Sequence, residues 1–354
     1  MGIESFTQVA DQATVAYQDA EKITKELEAK SRYKREHVAG DHEKISSPEL
    51  GEFSIDRVKN HEDPKVEKIF DFMQKFNPEE ADTLDIIQEA VKVDLYAYHI
   101  AENKEGEVVA HTQSSYLEVA PKESGAKSSE AILFIGYSIT DDDYQRKGLA
   151  SELFSSVIKT GAEKAKSQQQ GLRAVIGEAV ASSEKFWNHV GLKRMYFEDK
   201  AGNFQEVPYI CPPIQWDGQT GKALDPETEE IGDKDIKEYS APEHLMTRML
   251  DGKNEISVAE LMPMIDIIYE DNYTLHKYPG REDNPTDEAI ANTMAAVKEF
   301  RKELENILSE AKDGKIILLS AGERQQKAQE LKQKGLEFNE LHIGNSGEPE
   351  TEKD

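Results

Sequence analysis

Residues 131–165 read AILFIGYSITDDDYQRKGLASELFSSVIKTGAEKA, and this stretch decides the fold. Its first ten residues are apolar enough to form a strand inside a sheet. A polar loop follows from Asp141 to Tyr144, and residues 145–150 (QRKGLA) continue it. A long amphipathic helix begins there, because apolar side chains recur at helical spacing from Leu149 onward. The sequence therefore predicts a strand, a glycine-containing loop and a helix in direct succession.

The junction between this loop and the helix is suited to binding an anion. The first N–H groups of a helix have no partner inside the helix, and the helix dipole adds partial positive charge there. Gly148 lacks a Cβ and lets the backbone approach a ligand closely, while Ala150 keeps the next helical position small. Arg146 and Lys147 add positive charge. The loop has neither the spacing of a P-loop nor the three glycines of a dinucleotide-binding fingerprint.

Hydrophobic periodicity and turn signals order the elements around this junction. They predict a strand at 53–58, helices at 64–76 and from Pro78, strands at 95–100, 108–119 and 131–140, the helix from Leu149, a strand at 172–178, a short helix with Phe186 and Trp187, and strands at 193–198 and 244–250. In this order, the pattern Gln145-x-x-Gly148-x-Ala150 resembles the acyl-CoA-binding motif of the GNAT superfamily of N-acyltransferases. The segment FWNHVGL (residues 186–192) resembles that family's second motif. The resemblance covers residues 53–250.

The resemblance implies an α+β fold: a mixed, mostly antiparallel twisted sheet flanked by helices. It also implies acyl-CoA-dependent N-acyl transfer, with acetyl-CoA as the acyl donor and direct attack by the primary amine of a small molecule. Strand 172–178 would splay from the central strand and open a V-shaped cleft. The backbone at the end of the central strand would hold the pantetheine arm, through Ser138, Ile139 and Thr140. The N–H groups of the loop would hold the diphosphate, through Gln145, Arg146, Lys147, Gly148, Leu149, Ala150 and Ser151.

The proton-transfer groups depart from the family pattern. The second motif often carries a tyrosine that protonates the leaving thiolate, and this chain has Trp187 there, whose indole cannot act as that acid. Glu178 and Tyr137 are the predicted catalytic residues, because a partly buried carboxylate at a strand end can act as a base and a phenol can face the cleft. Each could instead be structural, Glu178 on the surface and Tyr137 in the core. Three weaker candidates are His189, His111 and Tyr196.

Composition limits the remaining possibilities. The chain has 354 residues, with 43 Lys and Arg against 70 Asp and Glu, for a formal net charge of −27. This acidity argues against duplex nucleic-acid binding, and the absence of a long apolar run argues against a membrane span. Cys211 is the only cysteine, so no internal disulfide is possible, and the scattered histidines have no zinc-ligand spacing; no metal site is expected. No signal-peptide pattern is apparent, and a cytoplasmic protein is expected.

The segments flanking the family-like region lead to four predicted parts. Residues 1–50 are a helical lead-in with a basic tail (KSRYKREHV) and a loop or linker from 39 to 51. The acyltransferase-like domain spans 51–254 and carries an insertion at 211–242. A helical and β-α-β extension follows at 255–343, too short to bury a core alone, so it packs on the main domain or forms a homodimer. Residues 344–354 are a disordered tail.

Two alternative functions remain open from the sequence. The missing tyrosine and the large flanking segments are also compatible with a non-catalytic binding or scaffolding protein that retains the fold. An acyl group could also come from a carrier protein rather than from CoA. The acidic surface is read first as a solvated surface, with attraction of a cationic amine as the alternative.

Overall fold

The computed structural model describes residues 19–39, 41–76, 78, 82–119, 128–180, 182–213, 215–225, 228, 230–232, 241–278 and 281–341. The predicted disordered tail and residues 1–18 of the predicted lead-in lie outside these ranges. So do most of the residues between 226 and 240 in the predicted insertion. The chain divides into two compact units, and the boundary falls inside one strand, between Val175 and Ile176. This division differs from the sequence-based boundary at residue 254.

The first unit comprises residues up to Val175 together with Met249–Gly252. Its sheet has the strand order β1-β2-β3-β4-β5-β6-β7, and the pairs from β1 to β6 are antiparallel. Its elements are α1 (residues 19–30), β1 (Lys34–Ala39), β2 (His42–Ser47), β3 (Gly51–Val58), α2 (Lys65–Phe76), α3 (Leu84–Lys92), β4 (Tyr96–Asn103), β5 (Val108–Glu118), β6 (Glu130–Thr140), α4 (Leu149–Gln168) and β7 (Gly171–Ala179), which continues into the second unit.

The helices of the first unit bury separate apolar stripes. One core cluster joins α2 and α3 to β4 and includes Ile69, Ile87 and Tyr98. Another includes Leu149 and Leu153 at the start of α4 together with apolar residues of β3 to β5. The starts of β6 and β7 lie side by side, since the N–H of Gly171 donates to the Ser129 carbonyl and Arg173 pairs with Glu130. The α4 connection between them therefore leads into a strand of the same direction, as in a β-α-β crossover.

The predicted loop or linker from 39 to 51 is a turn at residues 48–50, but the prediction is wrong at residues 42–47, which form β2. Together with β1, this strand forms a β-hairpin in which Lys34 pairs with Ser46 and His37 with Glu43. The inward-facing positions hide the strand pattern, because charged residues occupy places that apolar ones normally fill. Buried Glu43 forms ion pairs with Arg35 and with Lys159 of α4.

The amphipathic lead-in helix has its apolar face inside its own unit. Ala20, Ile23 and Leu27 are buried, as expected for a helix that packs on its own fold. Ser31 follows the helix and donates to Glu152 of α4, which also accepts from Arg35 at 2.7 Å. The basic tail that follows α1 is therefore fixed against α4.

The second unit comprises Ile176–Arg248 and the residues from Lys253 onward. Its sheet has the strand order β11-β8-β13-β12; β9 pairs with β8 and β14, and β10 pairs with β11. Its elements after β7 are α5 (Glu184–His189), β8 (Lys193–Glu198), β9 (Phe204–Glu206), β10 (Tyr209–Cys211), β11 (Ala241–Met249), β12 (Glu255–Ser257), α6 (Val258–Asn272), α7 (Asp287–Leu308), β13 (Lys315–Leu319), α8 (Ala321–Gln333) and β14 (Phe338–Asn339).

The C-terminal β-α-β segment pairs with strands of the preceding domain. β13 is antiparallel to β8, with Ile317 opposite Tyr196, and β14 is parallel to β9. The expectation that this segment packs on the rest of the chain is therefore confirmed for the second unit. Homodimer formation stays a prediction. Within the described parts of the chain, no helix combines the length and the apolar character that a membrane crossing requires.

The contact between α4 and β6 gives the first test. A Cβ built on Gly161 would lie 2.5 Å from Cδ1 and 2.8 Å from Cγ of the buried Leu133, so the whole leucine side chain would have to shift. Gly161→Ala is therefore expected to lower the free energy of unfolding by about 1–3 kcal/mol, measured by urea denaturation. The control is Gly322→Ala in α8, where the new Cβ meets no described atom within 4 Å. That change should stabilise by up to about 1 kcal/mol, and equal midpoints for both variants would contradict the assigned packing.

Candidate functional site

The loop after β6 is shaped by two left-handed backbone positions. Arg146 has φ +60° and Gly148 has φ +91°, and Gly148 is the N-cap of α4. A Cβ on Gly148 would lie 3.8 Å from a ring carbon of Tyr33, and its φ is one that L side chains rarely adopt. The N–H groups of Gly148, Leu149 and Ala150 have no backbone acceptor among the residues that the structure describes. These donors, at the positive end of a 20-residue helix, fit an anion such as a diphosphate.

The acidic residues of the loop are engaged in its own structure. Asp141 accepts from the N–H of Asp143 and forms an ion pair with Lys75 at 3.1 Å. Asp142 accepts from the Gln145 side chain at 2.7 Å. The cations lie at the other end of the loop, where Arg146 is exposed. Two of the three carboxylates next to the proposed phosphate site, those of Asp141 and Asp142, are therefore partly compensated by hydrogen bonds and by Lys75.

Three aromatic side chains and one arginine contact the loop and its neighbours and help to hold the loop in place. Tyr33, Phe53 and Tyr144 form a chain of edge-to-face contacts, with centroid separations of 5.9 and 5.8 Å. The ammonium of Lys147 lies 4.5 Å from the centroid of the Tyr144 ring. Arg32 donates to the Arg146 carbonyl at 3.5 Å. Sequence reasoning missed these contacts, because Arg32 and Tyr33 belong to the basic tail far upstream of the loop. The run of basic residues was the one signal that could have pointed to them.

The end of β6 changes character at a β-bulge. Tyr137 pairs with Gln113 but Ile135 pairs with Ser114, so Gly136 is the extra residue. Before the bulge the strand is buried, and after it Tyr137, Ser138, Ile139 and Thr140 are half-buried. The bulge thus marks where the strand turns partly toward solvent, at the residues predicted to hold pantetheine. Ser138 and Thr112 hydroxyls are 3.2 Å apart.

A second polar centre lies in the second unit, around Glu178 at the end of β7. The Tyr273 hydroxyl donates to the Glu178 carboxylate, and the Cys211 thiol lies 3.3 Å from the Tyr273 oxygen. Burial, followed by the nearby Cys211 and Glu178, raises the pKa of Tyr273 well above its usual value, so the phenol remains a donor at neutral pH. Glu178 is therefore half-buried and hydrogen-bonded, in contrast to the alternative of a free surface carboxylate.

Two further buried tyrosines adjoin this centre. Tyr209 and Tyr269 stack with centroids 5.5 Å apart. Burial raises the pKa of both, and the charge of Glu178 adds to the effect. Sequence reasoning identified Glu178 but missed its tyrosines, because Tyr269 of α6 and Tyr273, the residue after α6, lie outside the family-like region. The spacing of Tyr269 and Tyr273 is also that of an apolar helix face, so it did not indicate that the two residues adjoin a polar centre.

The same centre holds the one group of possible metal ligands found within the described ranges. Ligand atoms of Glu178, Cys211 and Glu243 lie within 4.8 Å of one another. These residues come from three different strands, so no sequence spacing could have indicated them. Tyr273 already contacts two of these three residues. Its hydroxyl donates to the Glu178 carboxylate and accepts from the Cys211 thiol.

The weaker catalytic candidates have structural roles or exposed positions. Tyr196 is buried and donates to Glu340 at 2.9 Å. His189 is exposed on α5. Trp187 is buried, and its indole N–H donates to Ser183 Oγ at 3.2 Å, as expected for a packing role. His111 is fully buried and stacks on Tyr98.

The buried His111 gives a test of pH dependence. Burial lowers the pKa of His111 from 6.5 to about 3. Between pH 3 and pH 6.5, this imidazole is therefore protonated in the unfolded chain but neutral in the folded one. Stability contributed by neutral His111 is therefore complete above pH 6.5 and is lost as the pH falls toward 3. When the pH falls from 7.5 to 5.5, the free energy of unfolding of the parent chain should decrease by about 1.4 kcal/mol more than that of His111→Leu. Urea denaturation at both pH values measures this difference. Ile100→Val, opposite His111 on β4, is the non-titrating control; the same pH dependence in all three proteins would contradict a buried neutral imidazole.

Of three comparisons with known proteins, only the one with solved structures finds neighbours, and their similarity to this chain is low. No protein-family model matches the chain, and the comparison with curated proteins finds no match. Among solved structures, Arabidopsis thaliana NAA60 in complex with acetyl-CoA is 11% identical, with a TM-score of 0.36, covering 56% of this chain and 99% of that one. The GNAT domain of S. lividans PAT is 11% identical, with a TM-score of 0.35, covering 60% and 99%.

A third neighbour is an aminoglycoside acetyltransferase from an uncultured soil metagenomic sample, in complex with trehalose. It is 16% identical, with a TM-score of 0.32, and the match covers 39% of this chain and 87% of that one. Since these similarities are low, the assignment depends on the chain's own features, namely its strand order, its glycine loop and the helix that begins there. The chain has an α+β fold in which a mostly antiparallel sheet is flanked by helices.

Proposed function

We propose that this protein is an acyl-CoA-dependent N-acyltransferase that transfers acetyl from acetyl-CoA to the primary amine of a small molecule. The observation that carries the proposal is the loop before α4, where the N–H groups of Gly148, Leu149 and Ala150 are left without backbone acceptors in the described structure. Gly148 keeps the space in front of these donors free of a side chain. A diphosphate supplies the charge and the acceptor atoms that such a loop requires.

The donor would be held along one continuous piece of backbone. Residues Gln145 to Ser151 would bind the diphosphate, and Ser138, Ile139 and Thr140 would bind the pantetheine arm through main-chain groups. The bulge at Gly136 supports this, because it separates a buried half of β6 from a half-exposed one. Bound acetyl-CoA would supply the activated thioester.

Proton transfer is assigned to Glu178 and Tyr137. Direct attack requires loss of the proton from the substrate ammonium, and a carboxylate fixed by a phenol donor is a suitable acceptor. The Tyr273 hydroxyl keeps the Glu178 carboxylate in one orientation. Tyr137, beside the proposed pantetheine residues in sequence, is the proposed acid for the leaving thiolate. Glu178 would take the ammonium proton before attack. As the carbon–nitrogen bond forms, the carbon–sulfur bond would break, the thiolate would take the Tyr137 phenol proton, and the second proton released by the nitrogen would restore the phenol.

Gly148→Glu tests donor binding. The new side chain would occupy the space in front of the loop donors and add negative charge beside the diphosphate, at a strained φ of +91°. Calorimetric titration should show binding of CoA to the parent chain and a loss of at least about 100-fold in affinity for the variant. Gly252→Glu is the control, because Gly252 also has positive φ and a Cβ there meets no described atom within 4 Å. Equal CoA affinity in the two variants would exclude the loop as the donor site.

Glu178→Gln tests the proposed base. The amide retains the shape and still accepts from Tyr273, but it cannot take a proton, so kcat should fall about 10²–10⁴-fold while the affinity for CoA is kept. The readout is thiol release from acetyl-CoA with a panel of polyamines, aminoglycosides, amino acids and peptides. Glu255→Gln, in an exposed ion pair with Lys315, is the control. An unchanged kcat in the Glu178 variant would remove this residue from the mechanism.

The replacement of the family's tyrosine by Trp187 favours one alternative, a binding protein without turnover. Its indole N–H is hydrogen-bonded to Ser183, so this position supplies no acid. CoA binding by the parent chain without thiol release for any amine of the panel would support that alternative. Transfer from an acyl carrier protein but not from CoA would support the third possibility.

A further inference from the structure

Three side chains with ligand atoms suited to zinc converge within the second unit. They are Glu178 near the end of β7, Cys211 at the end of β10 and Glu243 in β11, and their ligand atoms lie within 4.8 Å of one another. A zinc ion lies about 2.0–2.3 Å from each of its ligand atoms, so atoms this close together can share one ion. The proposed function uses Glu178 and gives Cys211 and Glu243 no part in the reaction.

The fold brings these ligands together through strand pairing and one tyrosine. Tyr209 and Cys211 are two residues apart on β10, so their side chains lie on the same face of the sheet. Tyr209 pairs with Glu243 of the antiparallel β11, which places the Glu243 side chain on that face too. The Tyr273 hydroxyl connects the other two ligands, since it donates to Glu178 and lies 3.3 Å from the Cys211 thiol. The ligand set is therefore assembled by the chain itself.

A buried hydroxyl of the same centre calls for a partner that the protein does not supply. Tyr209 is 1% exposed, and its hydroxyl has no hydrogen-bond partner among the residues that the structure describes. This hydroxyl adjoins Glu178. Buried polar groups are nearly always paired, so an orphaned hydroxyl beside a ligand set indicates a non-protein group. A zinc ion with three protein ligands keeps a fourth position for water, and a water there would pair with the Tyr209 hydroxyl.

We propose that Glu178, Cys211 and Glu243 bind one Zn²⁺ ion in the second unit. The ligand set selects zinc, because a thiolate suits this borderline ion, whereas Mg²⁺ and Ca²⁺ take oxygen ligands. As the bond between zinc and sulfur forms, the thiol releases its proton to the solvent. The ion would also occupy the carboxylate of Glu178, so acetyl transfer would stop while zinc is bound. This inhibition rests on the proposed function, whereas the binding of the ion does not.

Calorimetric titration of the full chain with Zn²⁺ tests the site. The parent chain should bind one ion, and Cys211→Ser and Glu243→Gln should each bind it at least about 100-fold more weakly, because each loses a ligand. Tyr209→Phe keeps the ring and should weaken binding about tenfold. Glu255→Gln removes a carboxylate from an exposed ion pair with Lys315, so this control should bind zinc as the parent does.

Cobalt gives a readout in the parent chain that does not depend on how well a variant folds. Bound Co²⁺ should show the absorption band of a cobalt–thiolate bond, and Cys211 is the only cysteine that can produce it. Absence of this band, or absence of zinc binding, would overturn the site. Equal zinc affinity in the parent and in the Cys211 and Glu243 variants would also overturn it, since the ion would then bind elsewhere on the acidic surface.

A separate assay distinguishes the zinc site from the proposed function. Formation of acetylated amine, followed by mass spectrometry, should stop when Zn²⁺ saturates the parent chain and return when a chelator is added. Glu243→Gln should require at least about 100-fold more zinc for the same inhibition. Undiminished transfer by the zinc-saturated parent would overturn the inhibition. If the chain transfers no acetyl group even with chelator, the proposed function is overturned, and the titration alone decides the zinc site.

Discussion

The structure depends on one turn of backbone, the left-handed passage through Arg146 and Gly148 into α4. Without a residue that tolerates positive φ at Gly148, the helix could not begin directly after the loop, and its first N–H groups would not point outward together. The same turn brings Tyr144 onto Phe53 and Asn103, so the loop is fixed across several strands. The positive φ at Gly148 therefore determines where the helix begins, how the loop packs on the sheet and which N–H groups are left for an anion.

The sequence predicted the parts of the fold that local periodicity controls. The apolar run of β6, the stripe of α4 and the glycine between them carry their own signals, and the structure places these elements as expected. The β1–β2 hairpin was missed because its inward side uses the Arg35–Glu43 ion pair where a strand usually shows apolar residues. The environment of Glu178 was missed for another reason. Its partners Cys211 and Tyr273 lie far along the chain, and no local pattern encodes such a meeting.

The net charge of −27 also has a more specific meaning once the contacts are known. Many acids in the first unit are used internally, as Glu43 and Glu152 are against Arg35 and Lys159. Cations left without partners are then the informative residues, because they identify surfaces meant for something other than the protein itself. Among the described residues, Arg146 and Lys147 of the loop before α4 are in no ion pair with a carboxylate, whereas a count of charges alone indicates a uniformly acidic surface.

The position of β13 has a consequence for how the protein is made. One side of β8 is covered by a strand whose first residue, Lys315, is synthesised long after Glu198 ends β8. At ordinary translation rates the interval is on the order of ten seconds, during which that edge has no partner from this chain. An unpaired edge is a template for other strands. The sheet of the second unit therefore cannot be completed until β13 has been synthesised, and until then this edge of β8 is open to pairing with other strands.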